Sequence, residues 1–80
     1  MSTYTYQQLT NSDKADVLRS KIKNNEYMLY DISASIEIEK ASSDINEDLI
    51  NQLEINLNNV TNKLKLINDL ISQLESEDLV

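Results

Sequence analysis

The sequence predicts an all-α protein, an antiparallel two-helix coiled-coil hairpin that dimerises into a four-helix bundle. Three observations lead there. The eighty residues contain no glycine and no proline, the two residues that tight hairpin turns of β proteins depend on for their backbone angles. Apolar residues recur at alternating intervals of three and four, the spacing of a coiled-coil seam. Clusters of small polar and acidic residues stand where helices would begin.

The seam is cleanest in the second half of the chain. Ile50, Leu53, Leu57, Val60, Leu64, Ile67, Ile71 and Leu74 follow the rule over four heptads without an error. An aspartate at Leu57 or Leu64 is therefore expected to unfold or dissociate the protein, because it sets a charge in the seam. Upstream, Ala15, Leu18, Ile22, Leu29, Ile32 and Ile36 obey the same rule, with the polar Asn25 in one core slot. A lone asparagine in such a slot sets register or oligomeric state at some loss of stability. Asn25→Leu should then stabilise the protein and loosen that choice.

The two series are in phase, since Ile36 and Ile50 are two whole heptads apart. One continuous coiled-coil rod from about residue 13 to 76 is thus the competing architecture. Against it, the three intervening core slots hold Glu39, Ser43 and Asn46, all polar. Ser42, Ser43 and Asp44 resemble a helix N-cap, with Glu47 three residues after Asp44. Asp44, Glu47 and Asp48 suit the positive start of a new helix, and Lys40 suits the negative end of an old one. Ser12 and Asp13 give the same start signal upstream.

The hairpin reading divides one helical domain, 1–80, into an N-terminal arm at 1–12, helix one at 13–40, a turn at 41–43, helix two at 44–76 and a frayed tail at 77–80. Facing residues should sum to about 84, so that Leu18 meets Leu66 or Ile67, Ile32 meets Leu53, and Asn25 hydrogen-bonds Asn59. In the arm, Tyr4, Tyr6 and Leu9 are apolar enough to cover the open end of the hairpin near Leu70 and Leu74, the alternative being an arm that frays.

Self-association follows from a surplus of apolar residues. Met28 and Ile38 on helix one, and Ile45, Leu49, Ile55, Leu66 and Leu70 on helix two, all lie off the seam. A helix with so wide an apolar face touches more than one neighbour. Charge points the same way. Residues 1–23 carry four cations against two acids, and residues 26–54 carry eight acids against Lys40 alone, a local net of −7. An antiparallel homodimer lays each acidic tip beside the basic end of its partner.

Chemistry is limited by what the chain lacks. Without histidine or cysteine, the common nucleophile–base pairs and the usual zinc sites cannot be assembled. Without glycine there is no phosphate-cradling loop and no calcium loop of the usual kind. Asp44, Glu47 and Asp48, and Glu75, Glu77 and Asp78, read as solvated acid at helix ends. No catalytic, cofactor-binding or metal-ligating residue is expected, and the protein is read as no enzyme.

Asn59-Val60-Thr61 matches a glycosylation pattern but runs through the seam, and reads as coincidence. A net charge of −7 argues against nucleic acid or anionic lipid as partner. No apolar run is long enough for a membrane span, and a cytoplasmic location is expected. Lys14, Arg19, Lys21 and Lys23 are assigned to internal charge balance. Tyr27 and Tyr30 are assigned to capping the bundle's own core, the other possibility being an anchor for a partner protein.

Tyr4-Thr5-Tyr6-Gln7-Gln8-Leu9-Thr10 and the run from Asp13 to Lys23, DKADVLRSKIK, resemble small uncharacterised helical proteins of marine tailed phages. The resemblance covers the N-terminal half and implies no activity. The functional expectation is a small non-enzymatic oligomerisation or protein-interaction module, of the kind a phage encodes as an accessory or assembly protein. The alternative is an acidic inhibitor that occupies the basic groove of a nucleic-acid-binding host protein.

Overall fold

A computed structural model describes residues 9–78. The chain is an all-helical hairpin of two elements, α1 (Asn11–Lys40) and α2 (Glu47–Asp78). Tyr4 and Tyr6 lie outside the described residues. The molecule's longest dimension is 56 Å, whereas one unbroken helix over residues 11–78 would reach about 100 Å. The rod is thereby ruled out.

The caps explain where the helices begin, and both lie away from the expected positions. Thr10, not Ser12, is the N-cap of α1. Its hydroxyl accepts from the Asp13 N–H at 3.0 Å, and the Asp13 carboxylate accepts from the Thr10 N–H at 3.4 Å. Thr10 wins because the residue three places on can return the bond, whereas three places after Ser12 stands Ala15. Helix one therefore starts at 11 and not 13.

Helix two starts at 47 and not 44, capped by Asn46, whose Oδ1 accepts from the Leu49 N–H at 3.1 Å. The turn is correspondingly longer, 41–46 in place of 41–43. Asp44 stays inside it: the Ser42 hydroxyl lies 3.3 Å from both the Asp44 N–H and the Asp44 carbonyl. Across the turn, the Glu39 carboxylate accepts from the Asn46 N–H at 3.0 Å. Two of the three polar core slots thus build the turn, Glu39 by holding Asn46 and Asn46 by capping α2. Replacing Asn46 by alanine removes the cap and should destabilise the hairpin by about 1 kcal/mol. A thermal melt followed by circular dichroism checks this, and an unchanged midpoint counts against the cap.

The missing glycine is no obstacle. Ala41 ends α1 at φ −83° and ψ −7°, ordinary right-handed backbone. Its N–H donates to the Glu37 and Ile38 carbonyls, and Ser42 N–H donates to the Glu39 carbonyl. The helix tightens and stops without a left-handed residue, and none of the described residues has positive φ. At the far end α2 runs to Asp78, through the acid expected to fray from 77. The unfavourable dipole interaction is a fraction of a kcal/mol, too small to undo the last turn.

A longer turn also moves the register. With Lys40 and Glu47 flanking it, facing residues sum to about 87 in place of 84, nearly one helical turn further along α2. Leu18 accordingly lines one groove with Leu70 and Leu74, further along α2 than Leu66 or Ile67. The shift also removes the bond expected between Asn25 and Asn59. The Asn25 amide donates instead to the Lys21 carbonyl of its own helix at 2.8 Å, the nearest acceptor for a half-buried side chain one turn on.

The core is the seam. Ala15, Ile36, Val60, Ile67 and Ile71 are the buried apolar residues, and each is a seam position. Leu18, Ile22, Leu29, Ile32, Leu53, Leu57, Leu64 and Leu74 are half-buried. Among the described residues no side chain is fully enclosed, because two helices cover each other along one stripe only.

Candidate interaction surface

What two helices leave uncovered is the most prominent surface feature. At the open end of the hairpin, Leu9, Lys14, Val17 and Leu18 face Leu70 and Leu74 across a groove of about 330 Å³. Its walls are leucine, valine and the aliphatic stem of Lys14, which reaches along apolar surface with its charge directed to water. Leu9 lies at this end with Leu70 and Leu74, as expected of the arm. Val17, half of whose surface is exposed, was not among the off-seam residues singled out from the sequence. Its signal is there: Met28 stands eleven residues on, three turns and nearly the same angle around the helix.

Helical geometry places Arg19 on the opposite flank. Its guanidinium pairs with Asp16 at 3.1 Å and, across the two helices, with Glu75 at 3.5 Å. All three side chains are well exposed, so the pairs add little stability, but they do assign Arg19 to internal charge balance. The acids 37, 39, 44, 47 and 48 gather at the turn end, with Lys40 among them. No group of three possible ligands there, or elsewhere among the described residues, is placed to hold a metal ion.

Tyr27 is 65% and Tyr30 76% exposed in the single hairpin. Tyr27 lies on the back of α1, turned away from α2, and Tyr30, eleven residues on from Arg19, lies on the Arg19 flank; Ile38 is equally open. The seam positions Leu29, Ile32 and Ile36 already fill the face toward α2, which leaves the tyrosines no access to it. The other off-seam residues singled out from the sequence, Met28, Ile45, Leu49, Ile55, Leu66 and Leu70, are exposed as well.

No helix among the described residues is long and apolar enough to cross a membrane. No family model, curated protein or solved structure matches the chain.

Proposed function

We propose that this chain is a non-enzymatic helical oligomerisation and protein-interaction module, of the kind a phage encodes as an accessory or assembly protein, and that it acts by binding a second copy of itself. One observation carries the reading. Large apolar side chains stand exposed along both helices, on flanks the hairpin cannot cover by itself. Exposed apolar surface of that extent marks an interface, and pairing two hairpins into a four-helix bundle buries it. The coiled-coil seam then becomes one of several seams in the bundle.

Sedimentation velocity over a hundredfold range of concentration tests this. The expected result is a species of twice the chain mass that gives way to a single chain on dilution. A single chain at every concentration up to the millimolar range would refute self-association.

The concentration of acid at the turn end favours a second reading, an acidic inhibitor seated in the basic groove of a nucleic-acid-binding host protein. The two differ in their response to salt. Attraction between a tip of this charge and a basic groove weakens steeply with ionic strength, whereas burial of apolar surface between two hairpins does not.

A further inference from the structure

The flank of α1 that forms the groove carries a self-complementary code. Lys14 and Val17 fix which flank it is, since both line the groove opposite Leu70. Continuing at alternating steps of four and three, the same flank presents Lys21, Asn24, Met28 and Asp31. Positions so spaced share one side of a helix. The groove-lining Val17 and, further along, Met28 are about half exposed, and Asp31 is exposed too.

Laid against itself in the opposite direction, this stripe matches at every step. About a midpoint between Lys21 and Asn24, Lys14 faces Asp31, Val17 faces Met28, and Lys21 faces Asn24. Two ion pairs, two apolar pairs and two polar pairs result, with no like charges opposed. Laid in the same direction, the stripe sets Lys14 on Lys14, Lys21 on Lys21 and Asp31 on Asp31, which is repulsive at all three charged steps. At the same height on α2, given facing sums of about 87, lies Leu66, with Leu70 one turn on. Both are exposed, and the same two-fold axis makes facing residues of the two α2 helices sum to about 129, so that Leu66 of each chain lies opposite Lys63 of the other.

We infer that two hairpins associate antiparallel through this flank, α1 against α1, in a register where facing residues of the two chains sum to 45. The inference rests on the self-association proposed above and adds to it the face, the direction and the register. It also places the acidic tips at opposite ends of the assembly, each near the basic end of the other chain.

Cysteine pairing tests the register, and the natural chain has no cysteine to interfere. Val17→Cys and Met28→Cys are prepared as separate chains, one of them isotope-labelled, then mixed under reducing conditions and mildly oxidised. Cysteines at 17 of one chain and 28 of the other would stand opposite, within disulfide reach. Two cysteines at 17, or two at 28, would be offset by about 16 Å along the axis and cannot join. The mixed disulfide should therefore exceed each symmetric one by about tenfold or more, against the twofold excess of random pairing. Lys14→Cys with Asp31→Cys should behave the same way, which protects the test if one variant folds poorly. Symmetric disulfides at their random share or above overturn the register. No cross-link from either pair, while the wild-type chain still sediments as a dimer, overturns the face but not self-association. A wild-type chain that sediments singly overturns both.

Discussion

Val60→Asp should abolish cooperative melting and most of the helical circular dichroism signal. Val60 is 4% exposed and lies in the middle of α2, so an aspartate there has neither water nor a partner. An unpaired buried charge destabilises by about 3–5 kcal/mol, and a domain of this size holds only about 4–12 kcal/mol in total. Leu57→Asp and Leu64→Asp should act in the same direction with smaller effect. Both leucines are half-buried, and an aspartate at either can tilt its carboxylate toward solvent. A wild-type melt for Val60→Asp would mean that the seam is misassigned.

The reason the seam was legible is that periodicity reports a helix face directly, whatever that face packs on. Ala15, Ile36, Val60, Ile67 and Ile71 could all be named as core from spacing alone. The turn could be located but not measured, because two sets of cap residues competed within five positions. Asp44 with Glu47 has the better local pattern, yet Asn46 is chosen because Glu39 holds its N–H from the end of α1. That bond joins residues seven apart across a turn not yet known to exist, and no local pattern reveals it. The three residues so added to the turn shift the facing pairs along α2, and Asn25 bonds the Lys21 carbonyl in place of Asn59. The tyrosines differ: aromatic character implies burial somewhere, but one chain's spacing does not say whether the bundle's own core or another surface supplies it.

The apolar flank has its own decisive variant. Val17→Asp combined with Met28→Asp should leave the hairpin folded and remove its association. Both residues are about half exposed in the single chain, so the new carboxylates stay hydrated there. In the antiparallel pair the carboxylate introduced at position 17 of each chain would face the one introduced at position 28 of the other, and four carboxylates would enter the contact. A loss of at least about a hundredfold in affinity is expected, or ~2.7 kcal/mol at 1.4 per tenfold. Melting temperature reads this without a separate binding assay, because association stabilises the folded form by mass action. For two chains of this length unfolding together, tenfold dilution should lower the wild-type midpoint by about 4–5 °C. The double variant should melt at one temperature whatever its concentration. Tyr27→Asp with Tyr30→Asp adds the same charge to α1 away from the groove and should keep the wild-type dilution shift. If the tyrosine pair abolishes that shift and the Val17 and Met28 pair does not, the contact lies on the Tyr27 and Tyr30 side of α1 and the groove flank is not the interface.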